Sequence, residues 1–366
     1  MQAKTRHIIW VGLLLWAEAN GQPAKPVEAA PIRVNSNLVM LPTRVETKTG
    51  DTVYGLNAEQ FVVKDNGVRQ AVEIVDSPDS ASLSLVVAIQ CGRSAPEEFG
   101  NLKGLATMID AIVGASRHEV AVVVYGERPY LLSDFSRASE VTRAALSQLK
   151  PCGDYHAASI DAVSYSLNLL RRRNNRYRHA ILLIGEQRDH GSASKAADVV
   201  AELGTTDTVI YSVAFSPTKG QFLSDLRNGP NGPHKNDAPV VYSAGAPPSK
   251  PKDSSPAAEQ MDQPQYTDQA PLFSLPPLFL LAANAVKENT ASEMATLSGG
   301  EYFDFSNAKG FERALHRISN QIHNYYLLSF RPDSSSEPAS HSLDVKVKGR
   351  SDVVIQTRKS YWSGVP

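Results

Sequence analysis

An α/β fold with a doubly wound, mostly parallel sheet is the architecture this sequence predicts, and three observations predict it. Residues 83–89, 119–125, 179–184 and 208–215 are continuous β-branched apolar runs. Such runs suit strands covered on both faces, and helix-compatible stretches between them imply parallel pairing. The run 128–135 follows Tyr125 too closely for a helical crossover, so it is expected as an antiparallel edge strand.

At the N-terminus, Lys4, Arg6 and His7 precede an apolar run from Ile8 to Trp16, followed by Ala17-Glu18-Ala19. This is the pattern of a signal peptide over residues 1–19, cleaved after Ala19. About nine apolar residues are too few to span a bilayer, which needs roughly 20. No later segment reads as a span, so the mature chain is expected in the periplasm or outside the cell. A Pro/Ala-rich leader covers 20–31. Residues 32–78 alternate apolar and polar positions, with turn signals at Thr49-Gly50-Asp51 and Asp65-Asn66-Gly67. They predict a small β module of four to five strands.

The α/β domain is expected over 82–324, with helices near 97–115, 136–149, 157–173 and 192–203. In the third, Ile160, Val163, Leu167 and Leu170 share one face. Residues 227–277 hold 11 of the chain's 23 prolines and few aliphatics. That composition cannot bury a core, so this stretch is expected as an exposed loop or a partly disordered insertion. Beyond it come a helix near 282–297 ended by Gly299-Gly300, a strand at 301–305, and a helix striped by Phe311, Leu315, Ile318 and Ile322. Residues 325–366 predict a C-terminal extension of three alternating strands.

Of 366 residues, 42% are hydrophobic and 20% charged, with a net charge of −1. That balance makes no electrostatic case for nucleic acid or an anionic membrane. CxxC, HExxH, phosphate-cradling glycine loops and GxSxG are all missing from the sequence. Asp189-His190-Gly191-Ser192 holds the residue types of a hydrolytic triad, but adjacent side chains diverge at a turn. Ser192 is expected to cap the helix that follows, with Asp189 and Gly191 shaping the turn. His316 and His323, seven apart, are expected as half-exposed helix residues. The basic run 171–179 is expected as a solvated helix end that complements the helix dipole. Cys91 and Cys152, the two cysteines, would meet an oxidising compartment after export and could pair.

Several stretches together resemble the VWFA-related family of secreted bacterial proteins of acidobacterial type, whose core is a von Willebrand factor type A domain, a Rossmann-like fold. They are Tyr54-Gly55-Leu56-Asn57-Ala58-Glu59-Gln60-Phe61 with Asp65-Asn66-Gly67, the loop ending at Ser94, Gly153 to Val163, and Gly185 to Ser192. Leu297 to Phe303, Tyr325 to Pro332 and Arg358 to Tyr361 complete the match. The resemblance implies a site in which an Asp-x-Ser-x-Ser loop, a Thr and a distant Asp hold Mg²⁺ at the sheet's C-terminal edge. A hard divalent cation wants octahedral oxygen ligands with carboxylate charge.

Carried over by position, most ligands are replaced. Gln90 stands at the first Asp, Gly92 at the first Ser and Ala157 at the Thr. Glu186 and Gln187 stand at the third loop's Asp and Gly, and Ser94 alone is retained. Neither Mg²⁺ nor any other cofactor is expected, although Asp154, Asp189 or Glu186 could rebuild a site. In the fold implied, the loops carrying Cys91 and Cys152 crown one sheet edge, and a disulfide between them is expected. The expected function is non-enzymatic recognition or scaffolding with an unknown protein ligand. Two alternatives stay open: metal-dependent adhesion through Ser94, Glu186 and a neighbouring carboxylate, and a hydrolase centred on His190 and Ser192.

Overall fold

The computed structural model describes residues 38–77, 82–173, 175, 177–215, 277–332 and 339–363. The signal segment, the leader and all of the proline-rich insertion except Pro277 lie outside them. In chain order the elements are β1 (Val39–Thr47), β2 (Phe61–Asp65), β3 (Val68–Gln70), β4 (Val72–Asp76), β5 (Leu83–Gln90), α1 (Ala95–Glu98), α2 (Leu105–Val113), β6 (His118–Tyr125), β7 (Pro129–Ser136), α3 (Ser139–Ser147) and α4 (Ser159–Arg171). Then follow β8 (Arg178–Gly185), α5 (Ala196–Gly204), β9 (Val209–Phe215), α6 (Pro277–Glu288), α7 (Thr290–Ser298), β10 (Tyr302–Phe305), α8 (Ala308–Ile322), β11 (Tyr326–Phe330), β12 (Ala339–Val347), β13 (Val353–Thr357) and β14 (Ser360–Ser363).

The central sheet has the order β10-β9-β8-β5-β6-β7, parallel except for β7, which pairs antiparallel with β6 as its short connection requires. Alternate residues of each strand serve two cores. Leu85, Val87 and Ile89 of β5 pack with Ile109, Ile112, Phe311, Leu315 and Ile318 on one face. Val86 and Ala88 pack with Ile160, Val163, Leu167, Val199 and Met294 on the other. This two-sided burial is why β5 is apolar from Leu83 to Ile89 at every position but Ser84. Because β6 lies on one side of β5 and β8 on the other, strand order reverses between β5 and β8. In sheets of this kind the ligand crevice lies where those two strands end, here at Gln90 and Gly185.

The β segments from the two ends of the chain, which the sequence sets apart as module and extension, are interleaved. One four-stranded sheet runs β13-β1-β11-β4 and the other β14-β12-β2-β3. Leu41, Val45, Phe61, Val63, Leu328, Phe330 and Val345 form their shared core. The described residues cluster within one unit, Asn37–Pro366. Among the described residues four strands, not three, follow Asn324, because the 353–363 run breaks at Arg358. That arginine is buried and donates to the carbonyls of Gly204 and Thr206 in the α/β part.

Two predicted helices are divided. The 97–115 stretch splits into α1 and α2 at Gly104, whose φ of 86° is a left-handed conformation that suits glycine. The 282–297 stretch breaks at Asn289, whose side chain accepts from Ser292 N and caps α7. His316 is exposed, and His323 is half-buried with Nε2 2.7 Å from the Ile112 carbonyl. Among the described residues no helix is long and apolar enough to cross a membrane.

The basic run after α4 is structural rather than a merely solvated helix end. Arg173 reaches Glu119 through Nε at 2.9 Å and Nη2 at 2.8 Å. Ser84 Oγ and Asn175 Nδ2 also donate to Glu119, at 2.8 and 2.9 Å. Burial pushes the Glu119 carboxyl up, but the bonds from Arg173, Ser84 and Asn175 outweigh it and hold the group below its ordinary value. A depressed folded value contributes stability that is present above the unfolded value and lost as pH falls through the folded one. The stability gap between the native chain and Glu119→Gln, read from urea midpoints, should therefore be full at neutral pH and shrink as acid takes the pH below the ordinary carboxylate range. A gap independent of pH would contradict this.

Candidate functional site

Three loops crown the crevice: 91–94 after β5, 152–158 before α4, and 186–192 after β8. Glu186 lies at their centre. Gln90 Nε2 and Ser94 N donate to its Oε1 at 3.0 and 3.2 Å, and Ser94 Oγ donates to the same oxygen at closer range. Arg93 Nε donates to Oε2 at 2.8 Å, and His190 Nε2 lies 3.4 Å from that oxygen. Gln90 returns the contact, its Oε1 accepting from Glu186 N at 2.7 Å. Gln90, Ser94 and Glu186 are thus brought together, and Arg93 joins them. Arg93 reaches Glu186 from a left-handed backbone, φ 55°, which is uncommon for a residue with a side chain.

Close packing holds this arrangement. A Cβ on Gly185 would lie 2.0 Å from Tyr125 Oη, and one on Gly92 would lie 2.9 Å from the carbonyl oxygens of Asp154 and His156. Tyr125 is buried beneath the loops and donates to the Ile184 carbonyl at 3.2 Å. Burial, then the charges of Glu186 and Asp189, raise its hydroxyl well above the ordinary tyrosine value, so it stays protonated as a donor. Ala157 is fully buried and joins the loops through its backbone, exchanging hydrogen bonds with His190 at 2.8 and 2.9 Å.

Asp189 and Ser192 do not join Glu186. Asp189 Oδ1 accepts from Ile160 N at 3.0 Å and from Ser192 Oγ at 2.5 Å, while Ser192 Oγ accepts from Asp161 N at 3.0 Å. Together they cap the N-terminus of α4, not the helix that follows Ser192, which starts beyond Lys195. In return, Asp161 accepts from Ala193 N and Ser194 N at 2.9 and 2.8 Å. Ala158, next to the first turn of α4, has no side chain able to cap it, so the cap is supplied across the chain. Asp154 also serves elsewhere: its Oδ2 accepts from Glu127 N at 2.9 Å and its carbonyl from Arg93 N at 2.7 Å. Gln187 uses its carbonyl to receive Ala291 N at 3.0 Å.

Cys91 and Cys152 form a disulfide, with S–S 2.10 Å and Cα–Cα 5.1 Å. Cys152 N donates to the Cys91 carbonyl at 2.9 Å, so the backbone holds the two together as well. Tyr155, in the second loop, is 63% exposed, the most exposed large hydrophobic side chain on the crown. Beside the crown a groove of about 640 Å³ runs between the turn into β7 and α4, lined by Arg128, Asp161, Tyr165, Asn168 and Arg172 among others. Tyr125 and Arg93 take roles here that no local motif marks. The glycine directly after the apolar run 179–184, Gly185, is the signal that could have found the close packing there.

No family model matches the chain, and no curated protein matches it. Among solved structures it is similar to the conserved hypothetical protein BatB from Bacteroides thetaiotaomicron, 11% identical over 66% of this chain and 98% of that one, TM-score 0.40. An aerotolerance-related membrane protein from Bacteroides fragilis is 12% identical over 65% of this chain and 99% of its own, TM-score 0.37. Proximal thread matrix protein 1 from the mussel byssus, with a zinc-occupied MIDAS motif, is 14% identical over 43% of this chain and 38% of its own, TM-score 0.33. The α/β fold rests on the chain's own strand order and helix placement.

Proposed function

We propose that this chain is a non-enzymatic recognition or scaffolding module of the cell envelope or extracellular space, built on a von Willebrand factor A-like domain that works without a metal bridge. The observation that carries this reading is the enclosure of Glu186. Donors from Gln90, Ser94 and Arg93 converge on its carboxylate, and the cation beside it is the protein's own guanidinium. A divalent ion needs those oxygens as ligands and would have to displace Arg93 from a partly buried pair. The donor set therefore fits a carboxylate–guanidinium pair better than Mg²⁺. A hydrolytic reading gains no support, since Ser192 and Asp189 are spent on the α4 cap. The residue pattern of a signal peptide and the disulfide support an exported location.

Under this reading the partner meets the rim of the crown, where Tyr155 is exposed and the groove beside α4 opens. Calorimetric titration of the oxidised chain with Mg²⁺ and Mn²⁺ is expected to show no binding tighter than millimolar. Tighter binding that disappears in Glu186→Gln would overturn the metal-free reading. Capture of envelope proteins by the immobilised chain should survive EDTA and fail with Tyr155→Ala. A partner released by EDTA would favour metal-dependent adhesion instead.

A further inference from the structure

We propose that Cys91, Cys152 and Asp154 form a latent Zn²⁺ site that the disulfide keeps closed and that reduction opens. Among the described residues these three are the group whose ligand atoms gather closely enough to share an ion, all within 4.8 Å of one another. Asp154 Oδ2 lies 3.5 Å from Cys152 Sγ. Two thiolates and a carboxylate suit zinc, a borderline-soft ion, and leave the fourth tetrahedral position for water. None of the three is a position at which the resemblance puts a metal ligand, and the inference does not depend on how Glu186 is used.

The surroundings are those of a supported ligand set. Asp154 Oδ2 takes a hydrogen bond from Glu127 N at 2.9 Å, which fixes the carboxylate's orientation. Cys91 N is held by the Tyr125 carbonyl at 2.8 Å, and Cys152 N by the Cys91 carbonyl at 2.9 Å, so both ligand-bearing backbones are anchored independently of the sulfurs. Gly126 faces the group: a Cβ there would lie 2.2 Å from Asp154 Oδ2 and 2.9 Å from Cys152 Sγ. A side chain at that position would occupy the space between the carboxylate and the sulfur. Zinc–sulfur bonds of about 2.3 Å in tetrahedral geometry require sulfurs roughly 3.8 Å apart. With the Cα atoms 5.1 Å apart, side-chain rotation suffices to part them once the bond is broken. Cys152 and Asp154 are only partly buried, which gives the ion a way in, while Cys91 is buried.

The opening step balances with a dithiol reductant. Its thiolate attacks one cysteine sulfur, the S–S bond breaks, and the dithiol leaves as a disulfide having given two electrons and two protons. Zn²⁺ then displaces the protons of both cysteine thiols.

The test uses the full chain, oxidised or reduced with a phosphine, titrated with Zn²⁺ and with Co²⁺ as a spectroscopic stand-in. The reduced chain is expected to bind one equivalent at least a hundredfold more tightly than the oxidised chain, with thiolate-to-cobalt charge-transfer absorption. Asp154→Asn, which keeps both cysteines, should weaken this by about tenfold or more. Cys152→Ser should abolish the absorption. A reduced chain that takes up no metal, equal binding in both redox states, or unchanged affinity in Asp154→Asn would each overturn the site.

Discussion

Replacing Arg178 with methionine is expected to lower the unfolding free energy by about 3 to 5 kcal/mol, because it leaves a set of polar groups inside the protein without their shared donor. Arg178 opens β8 with its side chain 2% exposed. Its Nε donates to Asp76 Oδ2 at 3.1 Å, and Nη1 to the His323 carbonyl at 3.1 Å. Nη2 donates to the Ser77 and Tyr325 carbonyls at 2.8 and 3.0 Å, and the guanidinium carbon sits 4.0 Å from the Tyr325 ring centroid. One side chain therefore ties the end of β4, the end of α8 and the approach to β11 onto the central sheet. Arg178→Lys should recover less than half of the loss, since an ammonium cannot reproduce a planar fork serving three carbonyls and a carboxylate. Urea midpoints followed by near-ultraviolet circular dichroism report the difference. A loss below about 1 kcal/mol would show that the joint is held by apolar packing instead.

The elements that the sequence made legible are those whose signal is local and continuous. The four buried strands of the central sheet and the edge strand β7 appear where the apolar runs and the short 126–128 connection place them. What could not be read was pairing. Alternation shows which face of a strand is buried but not which strand lies beside it, and β1 finds its neighbours in β11 and β13 at the far end of the chain. The same limit applies to Ser192. A serine ahead of a helix is a local capping signal, yet its hydroxyl caps α4, which precedes it in sequence and meets it only in the fold. At the crown, the residue types differ from the ligands that the resemblance implies. That Arg93 would turn back onto Glu186 depended on its left-handed backbone and on Gly92 fitting under the 154–156 carbonyls. No spacing rule reports either condition.

Cys152→Ser in the full chain is expected to cost about 4 kcal/mol of stability, the loop-entropy value for a closure of this length. The bridge spans a sequence separation of 61 and ties the loop after β5 to the loop before α4. Between those points lie β6, β7 and the helices α1 to α3, so the unfolded chain gains the freedom of a large part of the domain when the bond is lost. The folded crown should keep its arrangement, because Cys152 N still reaches the Cys91 carbonyl and Arg93 N the Asp154 carbonyl. Reduction of the native chain should therefore lower its urea midpoint by the same amount as the substitution, with both retaining native near-ultraviolet signal at low denaturant. A variant within about 1 kcal/mol of the oxidised chain would mean that the bridge does not constrain the unfolded state. Thiol counting by mass spectrometry fixes the starting redox state. Zinc separates the two destabilised forms. At a concentration one hundred times its dissociation constant it should return about 2.7 kcal/mol to the reduced native chain. It should return nothing to Cys152→Ser, which has lost a ligand along with the bridge.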